Sequence, residues 1–399
     1  MKTDKWEYKT YELTCVSPVH IGNGEKLRAF EYLYDRARQE VYFVDEARWI
    51  RFLSDHQMID SFAEYLERTA EAMQQKEQFK GKNVWEWLRD KDIPEDEIRS
   101  LAARTALAAT NTSDPNEKGT LNDIVCQMAL PDGRPYIPGS SVKGALRTAI
   151  LHRIIRKNER LRTRYWSDLE RTRGDKRELT KLAKRMENDA LSRLDYSSAK
   201  DRWGKPLRVT DEVRSSLRGL QVGDASPVGD SLDTVIVQKI DATRRADLPE
   251  TKESTVSLFR ECLPVGAKLR FSVTLDRSMM ETVGIHSLDE LWETARTFTQ
   301  DCMKAQKEVF GEEYKGEFAE AANAGLLLGG GVGYHAKTLV SSLAPSPEKA
   351  RAFIVDYLDR EFKDHHHREL DREISPRTLK LTRDRSASHI MGLCEVVPC

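Results

Sequence analysis

His20 opens the run HIGNG (His20–Gly24), and His335 lies in LGGGVGYHAKT (Leu328–Thr338), beside Tyr334 and two residues before Lys337. Between these runs, PYIPGSSVKGALRTAI (Pro135–Ile150) places Ser140, Ser141, Lys143 and Arg147 at the start of a helical pattern. The first chemistry these residue types suit is anion binding. Gly22, Asn23 and Gly24, and likewise Gly330, Gly331 and Gly333, let backbone approach a ligand closely and turn its N–H groups into a nest. Pro138–Gly139 ends the incoming chain, so Ser140 or Ser141 is the expected N-cap. Lys143 and Arg147, four apart, then share one face near the positive end of the helix dipole. That combination suits a phosphate held by helix N–H groups, with solvent-facing Lys143 and Arg147 heads. Tyr334 and His335 can stack on a base, and Lys337 can meet a further phosphate.

A second chemistry is acid–base catalysis. Metal-independent RNA cleavage needs a general base and acid near the 2′-hydroxyl and the leaving oxygen, and His20 with His335 supplies the pair if the two loops meet. Asp224 in VGDASP reads as a turn residue with no second carboxylate beside it. Nucleotide hydrolysis is the third. GVGYHAKT (Gly331–Thr338) nearly matches a phosphate loop, but Ala336 stands where the second glycine is required and Pro345 and Pro347 spoil the following helix. The run His365–His367 reads as a solvated polar face, since adjacent helical histidines point in different directions. Cys15, Cys126, Cys262, Cys302, Cys394 and Cys399 form no C-x-x-C pair, so reduced thiols are expected rather than zinc or disulfides. No metal and no cofactor is expected.

The elements that must position these residues show in the periodicity. Residues 7–17 alternate as a strand, followed by the HIGNG loop and strands near Phe30–Tyr34 and Glu40–Val44. Trp49, Phe52, Leu53, Phe62, Tyr65 and Leu66 switch to helical spacing, and this helical block runs to about Ala109. Asn111–Thr120 reads as a loop. A helix from Ser141 to about Lys157 leads into a basic helical segment ending near Asp201. DTVIVQKIDATRR is a strand, FRECLPVGAKLRFSVTLDR a hairpin-like pair turning at Pro264 and Gly266, Leu288–Phe310 an amphipathic helix, and GLCEVV a last strand. Strands interrupted by helical blocks, without a regular β/α rhythm, predict an α+β fold with antiparallel sheets and helices on one face. The best candidate for a boundary lies near Asp247–Glu253.

The 399 residues suffice for two or three domains, and 39% hydrophobic with 32% charged residues describes a globular, surface-rich chain. No apolar run is long enough for a bilayer, and MKTDKWEYKT lacks the apolar core of a signal peptide, so a cytoplasmic protein without membrane partners is expected. The net charge of −1 conceals an asymmetry. Lys143–Arg185 holds fifteen Lys/Arg against five Asp/Glu, a net of +10, which leaves −11 for the rest. One face this basic suits a polyanion.

Taken together, LTCVSPVHIGNG, YIPGSSVKGALRTAI and LLLGGGVGYHAKT resemble the RAMP superfamily of CRISPR-associated RNA-binding proteins. S-P-x-H-I-G-x-G and P-G-S-S-x-K-G-A-L-R are the specific parts, and LQVGDASP and ECLPVGAKLRFSV also resemble family elements. Within the superfamily, the chain is most similar to the subunit that caps type III-A effector complexes. The resemblance implies two ferredoxin-like, RRM-related modules, assigned to residues 1–250 and 251–399, with helical insertions at about 46–120 and 158–200 that match no motif. It implies a non-catalytic subunit binding crRNA near its 3′ portion, with the backbone and small subunits of the Csm complex and recruited cellular nucleases as partners. A RAMP endoribonuclease acting on precursor crRNA is the alternative. Trp85, Trp87 and Leu88 in NVWEWLRD are candidate exposed positions for docking a neighbouring subunit, or core.

Overall fold

The computed structural model describes residues 5–74, 83–108, 121–229, 232–384 and 387–399. The expected loop Asn111–Thr120 lies outside the described residues. Among those described, the strands in chain order are β1 (Trp6–Cys15), β2 (Gly22–Leu27), β3 (Tyr32–Asp35), β4 (Glu40–Val44), β5 (Ala102–Ala108), β6 (Ile124–Gln127), β7 (Leu220–Val222) and β8 (Ser226–Pro227). They continue with β9 (Thr234–Thr243), β10 (Lys252–Cys262), β11 (Lys268–Asp276), β12 (Leu326–Leu327), β13 (Thr378–Asp384), β14 (Ala387–Ile390) and β15 (Leu393–Pro398). The first seven helices are α1 (Glu46–Asp55), α2 (Ile59–Gln74), α3 (Val84–Arg89), α4 (Glu95–Ser100), α5 (Gly139–Lys157), α6 (Glu159–Arg171) and α7 (Lys176–Leu191).

One sheet has the order β12-β15-β1-β11-β7, with β8 also on β11. Taking β1, α5, β7, β11, the helix Leu288–Phe310 and β15 in chain order gives a β-α-β-β-α-β unit. Its strands stand fourth, first, third, second across the sheet and are antiparallel throughout. This is the ferredoxin-like arrangement. Alternation on β1 sends Tyr11, Leu13 and Cys15 inward. The helix Leu288–Phe310, capped by Ser287 accepting from Glu290 N–H, buries Leu288, Leu291, Ala295, Phe298 and Cys302 at three- and four-residue spacing against them.

The other sheet runs β2-β6-β10-β9-β5-β4-β3, with β13 also on β9 and β14 on β13. Most pairs are antiparallel, but β6–β10 and β5–β9 are parallel. The helical block of α1–α4 covers this sheet through Leu33, Tyr42, Phe52, Trp85, Leu88 and Ile98. The sheets draw strands from both sides of residue 250. The Asp247–Glu253 stretch joins β9 to β10, which are antiparallel neighbours in one sheet, and the ferredoxin-like unit extends from Trp6 to Pro398. The modules therefore interleave.

Several expectations are corrected. Ala102–Ala108 is the strand β5 rather than the end of a helical block: its alternation buries Ala106 and Ala108 between β4 and β9, and that packing outweighs alanine's helix preference. Gly22–Leu27 is an edge strand with a bulge between Gly22 and Lys26. Around Pro264 and Gly266 the chain passes from one sheet into the other, so β10 and β11 form no hairpin. Trp85 and Leu88 are core, with the Trp85 ring stacked on Tyr42 at 5.4 Å, and Trp87 packs on Phe62 and Tyr65. His367 is buried, its Nδ1 2.9 Å from Asp371, so the histidine run is not a uniformly solvated face. Among the described residues no helix is long and apolar enough to cross a membrane.

Candidate nucleic-acid interface

After β1 the chain leaves the ferredoxin-like sheet at Ser17–Pro18 and meets the end of β10, where Val19 bridges to Leu263. This brings His20 against β10. The residue is buried, and its Nδ1 lies 2.7 Å from the Glu261 carbonyl. A carbonyl oxygen only accepts, so Nδ1 carries the proton and Nε2 keeps its lone pair. Burial, reinforced by the nearby charges of Arg260 and Lys337, pulls the imidazole pKa down to about 4, so His20 is neutral at pH 7.

The late glycine loop lies directly on this residue. Gly330 N–H donates to the His20 carbonyl at 2.8 Å. A Cβ at Gly329, whose φ is +82°, would fall 2.0 Å from that same oxygen, and one at Gly330 would fall 2.9 Å from the His20 ring. Only glycine permits this approach at Gly329. The HIGNG and GGGVG runs, far apart in sequence, are therefore one surface.

Arg260, on β10, joins them, with its Nε 3.7 Å from the position a Gly330 Cβ would take. The guanidinium is half-buried, burial lowers its pKa, and it makes no ion pair among the described residues. Lys337 is exposed on the same side electrostatically, since its charge acts on His20. Sequence reading passed over Arg260. The available signal was its place in FREC, next to Glu261, which turns inward while Arg260 does not.

Glu261 anchors the arrangement. Its buried carboxylate accepts two hydrogen bonds from Arg104, one from Gln127 N–H at 2.9 Å and one from Thr234 Oγ1 at 2.7 Å. Gln127 extends the network, because its Oε1 accepts from Ile21 N–H at 2.8 Å and its Nε2 donates to the Tyr136 carbonyl at 3.3 Å. Tyr136 lies two residues before Pro138. The middle stretch is thus tied to the first loop through one glutamine side chain.

The start of α5 departs from expectation. Its N-cap is Pro138, and neither Ser140 nor Ser141 caps it. Instead the Asp224 carboxylate accepts from Gly139 N–H at 2.7 Å, so a negative charge of the protein itself occupies the end of the dipole. Asp224 is a cap supplied from across the fold, beyond its place in a turn. Lys143 Nζ donates to the Leu220 carbonyl at 2.6 Å and is half-buried, which lowers its pKa. Arg147 pairs with Glu187 at 2.8 Å. The Lys143 head is committed within the fold, whereas Arg147 stays exposed in its ion pair, so the expected pair of free solvent-facing heads is not formed as drawn.

The remaining loop residues divide. Asn23 folds back on Glu25, accepting its N–H and donating to its carboxylate at 2.8 Å each, while Gly24 sits at the exposed tip with φ +95°. Tyr334 packs against the cluster holding Trp166 and Leu343, and burial raises its phenol to about 12. His335 is turned inward, its carbonyl accepting from Cys302 Sγ at 3.5 Å, and burial lowers its pKa to about 4. No contact joins the rings of His20 and His335 among the described residues.

The chain belongs to the RAMP superfamily: its residues 12–335 match that family. More particularly, the chain is similar to the CRISPR system Cms protein Csm5 of Mycobacterium tuberculosis, at 28% identity over 97% of each chain. It is also similar to the protein of the same name from Streptococcus thermophilus, at 26% identity over 84% of this chain and 81% of the relative. Among solved structures, a chain of a Csm–crRNA–target RNA ternary complex of a type III-A CRISPR–Cas system shares the fold at TM-score 0.61 and 19% identity, covering 98% of this chain and 100% of the other. The Csm5 crystal structure from T. onnurineus does so at TM-score 0.56 and 18% identity, covering 96% and 99%.

Proposed function

We propose that this chain is a non-catalytic RNA-binding subunit of a type III-A CRISPR ribonucleoprotein. It caps the backbone filament at the 3′ portion of the crRNA and supports maturation of that 3′ end by recruited cellular nucleases. Its other partners are the backbone and small subunits of the Csm complex, and its place is the cytoplasm. The observation that carries the reading is the contact of the HIGNG and GGGVG runs around His20, with Arg260 beside them and no carboxylate paired to it among the described residues. Close-approach backbone with one unpaired guanidinium suits a sugar-phosphate chain of any sequence, which a subunit handling varied guides requires. The neutral His20, with Nδ1–H fixed on Glu261, offers Nε2 as an acceptor for a ribose 2′-hydroxyl. Support for a non-catalytic role comes from the two loop histidines. Both have pKa values near 4, far from the value a general base or acid needs at pH 7, and no contact joins their rings among the described residues.

Purification of the complex with and without this chain tests the reading. The complete complex should yield crRNA with a defined set of short 3′ ends, and omitting the chain should shift the length ladder to longer species. An unchanged ladder refutes the maturation role. Guide-precursor cleavage by the purified chain, lost in a His20→Ala, His335→Ala variant, refutes the non-catalytic one.

A further inference from the structure

The basic segment identified in the sequence forms α6 and α7 and is not needed by the glycine surface. Between these helices and the chain that follows lies an open cleft of about 930 Å³. Arg160 and Arg164 enter it from α6, and Lys181, Lys184 and Arg185 from α7. Arg193 and Arg214 close it from the following segment. Only Asp189 and Asp211 oppose these seven cations in the lining.

We propose that this cleft is a second binding site for the sugar-phosphate backbone of single-stranded RNA, distinct from the glycine surface. The inference rests on the reading of the chain as an RNA binder. All seven cationic residues are exposed. Three are already paired: Arg185 with Asp168 at 2.6 Å, Lys181 with Glu178 at 2.8 Å, and Arg164, 3.5 Å from Asp189 of the lining itself; the Arg164 and Arg185 guanidinium groups also lie within 6 Å of the buried Tyr165 ring. Arg160, Lys184, Arg193 and Arg214 make no ion pair among the described residues. The last two instead donate through Nε to the carbonyls of Ala190 and Leu194, at 3.1 and 3.4 Å. Like charges gathered in one concavity repel one another until an anion enters, and a concave wall concentrates their field.

Five of the seven are arginines, whose planar fork matches a phosphate in two-point contact. Asn158, Asn188 and Ser192 add neutral hydrogen-bonding groups of the kind that meet phosphate and sugar oxygens. The volume lies in the range of ordinary ligand sites, about 300–1,000 Å³, which limits the occupant to a short stretch of strand. The segment between Arg193 and Arg214 also carries Trp203, 69% exposed at the tip of a turn closed by a Lys200–Pro206 bridge, with the Arg202 guanidinium 3.9 Å from its ring centroid. An exposed tryptophan on the chain that forms one wall gives a base a surface to stack on.

The test uses the full-length chain, fluorescent polyuridylate of about thirty nucleotides and a salt titration. The compared variants are Arg160→Gln/Lys184→Gln/Arg193→Gln/Arg214→Gln and, separately, Arg260→Gln. Each single-strand phosphate contact contributes about 0.7 to the slope of log affinity against log salt, so the quadruple variant should flatten the slope by about 3 and bind at least about tenfold more weakly at 0.15 M salt. If that variant melts early, Arg160→Gln/Lys184→Gln replaces it, with a slope change of about 1.4. Unchanged binding by the cleft variants alongside weakened binding by Arg260→Gln overturns the second site and leaves the glycine surface standing. No RNA binding by the wild type overturns both. Polyglutamate competing as well as polyuridylate at equal charge overturns the assignment to RNA in favour of an acidic protein partner.

Discussion

Replacing Arg104 by methionine should destabilise the protein far more than a surface arginine would. The Glu261 side chain is 1% exposed, and among the described residues Arg104 supplies the only positive charge among its hydrogen-bond donors. Without it, a buried carboxylate retains one backbone N–H and one hydroxyl. Removing one member of a buried pair costs about 3–5 kcal/mol, because the other charge stays desolvated and uncompensated. Arg104 also lies 3.6 Å from the Phe43 ring centroid, and methionine keeps most of that packing, so the loss isolates the charge. Glu261→Leu removes the other partner, and the double variant Arg104→Met/Glu261→Leu should be more stable than the sum of the two losses by at least about 1 kcal/mol. Urea unfolding followed by tryptophan fluorescence reads all four proteins. A loss below about 0.5 kcal/mol for Arg104→Met, or strict additivity in the cycle, refutes the idea that Glu261 holds the two loops through a buried charge. Gln127 N–H hangs on the Glu261 carboxylate and Gln127 in turn holds Ile21, beside His20 on the Glu261 carbonyl, so the same variants should also loosen the glycine surface, read as faster amide exchange at Gly330.

Two further outcomes follow from the same interior. His20 and His335 have folded pKa values near 4, below the ordinary 6.5, so the unfolded chain binds protons more tightly; the stability they confer is complete above about pH 6.5 and is lost as pH falls toward 4. By pH 5 the loss should be about 2 kcal/mol per histidine, and melting temperatures that stay flat from pH 7 to 5, or that fall by the same amount when both histidines are replaced, would contradict it. Lys143→Glu should lower stability by about 1–3 kcal/mol because it sets a carboxylate against the Leu220 carbonyl, whereas Arg147→Glu, a partly exposed partner of Glu187, should cost no more than about 1; equal and negligible effects in thermal melts would contradict this placement.

The parts of the fold written in local periodicity were legible. Leu288–Phe310, Thr234–Thr243 and the last strand stand where their apolar spacing put them. Strand β5 was not, because AARTALA carries helix formers and becomes a strand only between β4 and β9. The interleaving of the sheets was also hidden, since Pro264 and Gly266 mark a reversal without saying which sheet receives the next strand. At the site, the glycines indicated close approach, and His20 is where two of the runs meet. What sequence does not carry is which groups compete for a charge. Lys143 and Arg147 had the right spacing for a phosphate, yet Leu220 and Glu187, distant in sequence, take their heads, and Asp224 takes the helix end. Arg260 shows the converse, an unremarked strand residue that makes no ion pair among the described residues.

The most direct measurement is the affinity of Arg260→Gln for single-stranded RNA across a salt series, beside a melting curve. The account predicts an unchanged melting temperature, about tenfold weaker binding at 0.15 M salt and a salt slope shallower by about 0.7, as for one lost charge-assisted phosphate contact. Wild-type affinity and slope in the variant would contradict it, because the Arg260 guanidinium placed against the joined glycine loops would then touch no RNA.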